Sequence, residues 1–231
     1  MQALKVTFNL SSPLFIDSEY PIHMDAIIAS AVCMMAESMG SVNAWADADD
    51  LSGYLDKTSG DKWVWKASRL IFTPASGIQF MNQTRKSDPD RFFEDLGNYW
   101  AGRNPTAENP IGSIRPDTFK INTASGQQRG YQSLIAYQWV SKAEAWVVGD
   151  KEALQDLLTS ITHVGKATRN DFGRLTSITV EESDEADKWM LRNLPIEMAS
   201  PDGIEYAKVN GCLRAPYWKD INRICVKEPI I

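Results

Sequence analysis

The chain has 231 residues, of which 43% are apolar and 23% charged, and its formal net charge is −6. Those proportions describe an ordinary soluble globular chain with material for one large domain or two small ones. They exclude a membrane protein, because no apolar run reaches the length of a span. The longest such run, 26–36, contains Ser30 and lies too far from the start for a signal peptide. Cys33, Cys212 and Cys225 form no close pair, and His23 and His163 are the only imidazoles. Reduced thiols in a cytoplasmic protein, with no metal and no cofactor, are therefore expected.

In chain order, LKVTFNL alternates Leu4, Val6, Phe8 and Leu10 with polar residues, the period of a half-buried strand. DAIIASAVCMMAESMG follows at helical spacing, with Asp25 at or near its cap and Gly40 as its stop. Residues 41–61 are acidic and turn-rich, a predicted surface insertion. WVWKASRLIFTP reads as a strand, and GIQFMNQTRK beyond Pro74 and Gly77 as its hairpin partner. DPDRFFEDLGNYW, opened by Asp88 and Pro89, predicts a helix. The glycine- and proline-rich excursion that follows reads as an extended hairpin over 113–137, turning at Ser125 and Gly126. AEAWVVGD is a further strand. KEALQDLLTSIT is a helix with Leu154, Leu157, Leu158 and Ile161 on one stripe, and RLTSITVEE is the strand after it. The remainder mixes short strands and loops. The order β-α-β-β, an excursion, then β-α-β predicts an α+β fold: a ferredoxin-like sheet of the RNA-recognition type in one domain spanning 1–231.

Charge is unevenly spread along this order. Asp47, Asp49, Asp50, Asp56 and Asp61 face Lys57 alone, and 181–187 hold five acids and no base. Residues 62–86 hold Lys62, Lys66, Arg69, Arg85 and Lys86 with no acid, and 111–142 hold Arg115, Lys120, Arg129 and Lys142 against Asp117. Polyanion binding follows the local field, not the total, so nucleic acid stays open despite the negative sum.

The densest candidate is HVGKATRNDFGRLTSITVEE, with Gly165, Lys166, Thr168, Arg169, Asn170, Gly173 and Arg174. It is not a nucleotide P-loop. Ser160 stands where that motif needs its first glycine, Ala167 stands where it needs Ser or Thr, and here a helix leads into the loop. As a polynucleotide loop, its glycines would let the backbone approach a sugar–phosphate chain, and its cations and neutral donors would meet phosphates. A helix-capping glycine, a basic surface turn and a strand fit the same spacing.

The helix, the loop GKATRNDFGRLTSI and the strand together resemble the C-terminal glycine-rich loop of the RAMP superfamily of CRISPR-associated proteins. Within it, the chain is most similar to the five-prime-handle-binding (Cas-five-like) subunit of type IV complexes, the Csf group. LKVTFNLSSPLFIDSEYPIHMDAIIASAV, with its PIHMDA entry, WVWKASRLIF, WMLRNLPIE and LRAPYW resemble that group's segments, from about residue 4 to 218. The loop departs from many RAMP proteins in having only two glycines. The resemblance implies a non-catalytic RNA-binding subunit that holds the repeat-derived handle of the CRISPR RNA and caps one end of a complex directed at DNA, in defence against viruses and plasmids. Implied partners are the CRISPR RNA, target DNA within the complex, the repeated backbone subunit, a large-subunit-like protein and the RNA-processing endonuclease, with a DinG-type helicase linked indirectly. A thumb-like hairpin within 101–137, carrying Gln128, Arg129 and Tyr131, would press on the guide.

On this reading Lys166, Arg169 and Arg174 meet handle phosphates first. Lys66, Arg69, Arg85 and Lys86 come second, then Arg115 and Lys120. Trp63 and Trp65 alternate on one face and could stack bases, although core packing is the expectation; Tyr217 and Trp218 are open to both roles. His23, beside Asp25 at a helix entry, is expected to cap or pack. Two other readings stand beside this one: a metal-independent endoribonuclease using His23 or His163 as general base, and a protein-interaction subunit working through its acidic segments.

Overall fold

Leu4, Val6 and Phe8 of β1 (Gln2–Leu10) are each 0% exposed and start the core, as their alternation predicts. The computed structural model describes residues 1–16, 21–85 and 130–231. They fall into two compact units, Met1–Gln79 with Ala136–Ile231, and Phe80–Ile135. Sheets in the described residues are antiparallel wherever the pairing is resolved, and helices are few.

In the first unit, β1 lies between β6 (Val140–Gly149) and β7 (Leu175–Glu182), and β3 (Ile71–Pro74) pairs on the far side of β6. The strand order is therefore β3-β6-β1-β7. Helix α1 (Met24–Ser38) connects β1 toward β3, and α3 (Lys151–Leu158) connects β6 to β7. Ile28, Ala31 and Val32 of α1 and Leu154, Leu157 and Leu158 of α3 join β1 in one hydrophobic cluster. α1 is C-capped by Met39, followed by Gly40 at φ +80, the left-handed position that favours glycine. α3 starts on Asp150, whose carboxylate accepts the Ala153 amide at 2.9 Å. It stops at Leu158, short of the predicted Thr162, because Thr159 and Ser160 hydroxyls donate back to the Asp156 and Leu157 carbonyls.

Three other expectations change. The predicted strand 63–74 is a strand only from Ile71. Upstream, successive amides bond different neighbours: Lys66 to Asp56, Ser68 to Trp146, Arg69 to Leu191 and Leu70 to Ile22. A segment with partners on several sides is buried on both faces and cannot alternate cleanly. The segment after it, β4 (Gln79–Arg85), does not pair with β3; its neighbour is β5 (Tyr131–Gln138), since β3 lies on β6 and ends at a bulge at Thr73 and Pro74. Residues 41–61 are more than a surface insertion. Their acids are largely exposed, but Ala44 at the start of α2 (Ala44–Asp47), Ala48, Leu51 and Leu55 enter the main cluster. The predicted helix over 88–100 and residues 113–129 of the hairpin predicted over 113–137 lie outside the described residues; residues 131–138 form β5. β5 also pairs with the short β2 (Leu14–Phe15).

β8 (Leu194–Pro195), β9 (Tyr206–Gly211) and β10 (Ile224–Pro229) form a small sheet ordered β8-β10-β9 over a second cluster of Val64, Trp189, Leu194, Leu213 and Val226. Arg192, fully buried, joins this region to the rest. Its Nη1 donates to the Trp65 and Ala67 carbonyls at 2.6 and 2.9 Å, and Nε to the Asn193 carbonyl at 3.3 Å. Nη2 donates to Asp25 Oδ2 at 3.2 Å, to the Leu213 carbonyl at 2.5 Å and to Tyr217 Oη at 2.8 Å. The Tyr217 hydroxyl donates in turn to the Asp25 carboxylate at 2.8 Å.

Removing one side of such a pair strands the other charge in a dry site. Arg192→Met is expected to destabilise the protein by about 3–5 kcal/mol, and Tyr217→Phe, which removes one hydroxyl from a charged acceptor, by about 1.5–3 kcal/mol. Urea denaturation of both variants checks the ranking; equal and small shifts would show that the network contributes little.

Candidate nucleic-acid interface

The loop between α3 and β7 is built inward before it is presented outward. Val164 and Phe172 are buried, and the Phe172 ring meets Phe15 and Tyr137, each with centroids 6.2 Å away. The Val164 amide donates to the Gly173 carbonyl at 2.9 Å, and the Gly173 amide to the Pro13 carbonyl at 2.8 Å. Between these anchors, Thr168–Asn170 make one 3-10 turn, flanked by left-handed Ala167 and Asp171 at φ 58 and 64. Lys166, Thr168, Arg169, Asn170 and Arg174 are exposed.

Both glycines serve this closure. A Cβ on Gly173, at φ +69, would lie 1.9 Å from the Val164 carbonyl oxygen; one on Gly165, at φ +88, would lie 3.0 Å from Leu14 Cδ1 and 3.4 Å from Ile22 Cδ1. The space a side chain would fill is thus occupied by protein. Asp171 tempers the loop's charge, accepting from His163 Nε2 at 3.1 Å and lying 3.5 Å from Arg174 Nη1.

The second basic segment is compensated in space. Lys62 meets Glu197 at 3.3 Å, Lys66 meets Asp56 at 2.6 Å and Arg69 meets Glu228 at 3.4 Å. The Lys66 hydrogen bond holds the Asp56 carboxyl below its ordinary range. A phosphate approaching these cations would compete with a carboxylate supplied from another part of the chain. The Leu70 amide, next to Arg69, bonds the Ile22 carbonyl, and Ile22 Cδ1 lies 3.4 Å from where a Cβ on Gly165 would stand. Arg85 closes β4; Lys86, Arg115, Lys120, Gln128 and Arg129 lie outside the described residues. Tyr131 opens β5, 39% exposed.

The face of the four-stranded sheet away from the helices carries Lys5, Thr7 and Asn9, paired in register with Trp146, Glu144 and Lys142 of β6 and with Glu181, Thr179 and Ser177 of β7. Lys5 and Lys142 bond Glu144 at 2.7 and 2.9 Å and hold its carboxyl below the ordinary range, Lys5 foremost. Trp146 is the aromatic on this side of β6, and it is buried under Lys188 and Lys5, with its indole N–H on Glu185. Trp65 is buried, and Trp63 packs edge-on to it at 5.0 Å, beneath the Arg214 guanidinium at 3.9 Å. These two tryptophans are core and rim residues. Trp218 is 68% exposed, whereas Tyr217 is part of the buried network.

His23 occupies the N-cap position of α1 without a side-chain capping bond. Its ring is 1% exposed, stacks on Tyr217 at 4.1 Å and 8°, and neither ring nitrogen has a partner among the described residues. Burial first, then the Arg192 and Arg69 charges, push its pKa well below 6.5. His163 is held between the Thr162 hydroxyl at 2.9 Å and Asp171. Among the described residues no cluster of His, Cys, Asp or Glu could hold a metal, and no helix is long and apolar enough to cross a membrane. The three cysteines form no disulfide.

Residues 2–229 match the family described as CRISPR type IV associated protein Csf3. The chain belongs to that family. No curated protein matches it. It is similar to a solved structure titled "Crystal structure of Csm3-Csm4 subcomplex in the type III-A CRISPR-Cas interference complex", at 10% identity and TM-score 0.41, over 98% of this chain and 91% of that chain. The four segments of the Csf resemblance converge on one place: PIHMDA holds His23 and Asp25, WVWKASRLIF holds Trp65 and Ala67, WMLRNLPIE holds Arg192, and LRAPYW holds Leu213 and Tyr217. Reading the charges for phosphate contacts missed Arg192. The signal that could have found it was an arginine set among apolar residues in a segment otherwise built for the core.

Two measurements follow from this geometry. Gly173→Ala places a methyl group against backbone in left-handed φ, so it should cost at least about 1–3 kcal/mol; Gly165→Ala meets a movable leucine methyl and should cost less, as thermal melts would show. His23 is neutral in the fold, while the unfolded chain binds a proton below pH 6.5. Stability is therefore complete above that pH and falls as pH drops toward the lower folded pKa, by up to about 1.4 kcal/mol per unit. His23→Phe should remove that contribution between pH 6.5 and 5 in parallel urea titrations; an unchanged slope would contradict the burial argument.

Proposed function

We propose that this Csf3-family chain is a non-catalytic, RNA-binding subunit of a type IV CRISPR effector complex. It holds the five-prime repeat-derived handle of the CRISPR RNA and caps one end of the assembly during DNA targeting. The observation that carries the reading is the loop at 165–174, in a chain that belongs to a type IV CRISPR-associated family. Its apolar residues are spent on anchoring, and Lys166, Arg169 and Asn170 are turned outward beside Thr168. A RAMP-type, ferredoxin-like reading of the sheet is supported by the order β3-β6-β1-β7, with helices in the β1-to-β3 and β6-to-β7 connections. The thumb-like role of the excursion at 101–137 belongs to the same proposal. So do the partners: backbone and large subunits, the processing endonuclease, target DNA and, indirectly, a DinG-type helicase. The non-catalytic role belongs to the same proposal; it is favoured over cleavage by His23 because a general base must reach the 2′-hydroxyl and His23 lies buried under Tyr217.

The test is binding of a labelled repeat-handle RNA by fluorescence anisotropy at several salt concentrations. Lys166→Ala with Arg169→Ala should weaken binding about tenfold or more and flatten the salt dependence, by roughly 0.7 in log–log slope for each phosphate no longer neutralised. Lys208→Ala, an exposed charge in β9, serves as control. Lys66→Ala should lower stability more than affinity, since its partner is Asp56. Wild-type binding independent of salt would refute the reading.

A further inference from the structure

β7 is an edge strand whose outer side has no strand partner among the described residues. The Ser183 amide bonds the Ala3 carbonyl at 3.0 Å, so by antiparallel alternation Ser177, Thr179 and Glu181 also turn their N–H and C=O groups toward β1. Ile178, Val180 and Glu182 then point theirs outward. Gln155 confirms the direction from outside, its Nε2 lying 3.5 Å from the Val180 carbonyl. At one end the edge is closed, because the Thr162 carbonyl takes the Leu175 amide at 2.9 Å. Beyond the bulge at Thr176, the stretch from Ser177 to Glu182 has no strand partner among the described residues and carries no proline or lysine of the kind that commonly protects an edge. Beside it runs a groove of about 1020 Å³ between α3 and β7, with Leu158, Ile161, Leu175 and Ile178 among its apolar lining.

We infer that this edge accepts an extended polypeptide strand from a neighbouring protein subunit, alternating apolar and polar residues and carrying a cation at the Glu181–Glu182 end. A row of alternating amides and carbonyls is matched by another main chain. The groove gives alternate side chains of the incoming strand an apolar floor. The charge also selects a protein: Glu182 is 70% exposed with Lys151 near it at 3.5 Å, and Glu181, Asp184 and Glu185 belong to the same acidic run, a field that repels phosphates.

The inference rests on the reading of the chain as a complex subunit. Its test is residue-resolved amide hydrogen exchange on the isolated chain and on the complex co-expressed with the other type IV subunits and a CRISPR RNA. Amides of Ile178, Val180 and Glu182 should slow about tenfold or more on assembly, while those of Ser177, Thr179 and Glu181 are already slow in both. Glu182→Lys, which leaves the backbone untouched, should weaken retention in the complex, and Ile178→Pro, which removes one outward N–H, should do so too. If the chain assembles while its edge amides still exchange freely, this inference alone fails. A chain that enters no complex overturns the assembly reading and this inference together. Slowing caused by RNA alone, or by raising the concentration of the isolated chain, overturns it in favour of nucleic acid or a second copy.

Discussion

The main unit turns on a guanidinium enclosed by protein. Arg192 donates to four carbonyl groups and a carboxylate, and the groups it binds come from α1, the segment before β3, the residue beside it and the loop between β9 and β10. Burying such a charge is costly unless its hydrogen-bonding groups are satisfied together. Satisfaction requires all these segments in place at once, so the network links the four-stranded sheet to the C-terminal sheet more specifically than apolar packing would. His23 is sealed as a by-product: its ring is stacked on Tyr217, which is itself held by Asp25 and Arg192.

A second consequence concerns where positive charge survives. The cations at 62–69 look unopposed along the chain, yet folding brings Glu197, Asp56 and Glu228 to them. The open sheet face is neutralised in the same way by Glu144. In the loop at 165–174 the acid present, Asp171, is turned to His163 and Arg174, while Arg169 remains outward. The cationic surface is thus narrower than a tally of lysines and arginines suggests. A protein with net charge −6 can still offer a local cationic turn.

The acidic residues divide likewise. Glu185 accepts from the Trp146 indole and Lys188, and the Lys188 bond is the main reason its carboxyl sits below the ordinary range. Glu182, two strand positions beyond buried Val180, stays exposed near the rim of the groove. One run of like charge therefore supplies both a carboxylate held by Trp146 and Lys188 and a carboxylate exposed beside the groove.

The sequence by itself determined the local elements. Period-two alternation marks β1, helical spacing marks α1 and α3, and turn residues mark the loop before β7, because these patterns depend on neighbours a few residues away. Together with the resembling segments, it also pointed to the type IV CRISPR family that the whole chain matches. Only the tertiary structure decided what Arg192, Asp25 and Tyr217 do, which cations are met by carboxylates, and that Gly173 is glycine because Val164 lies against it. It also decided that β4 leaves β3 for β5. Each of these is a contact between residues apart in the chain, and burial and Coulomb interaction depend on distance in space, which no local periodicity encodes.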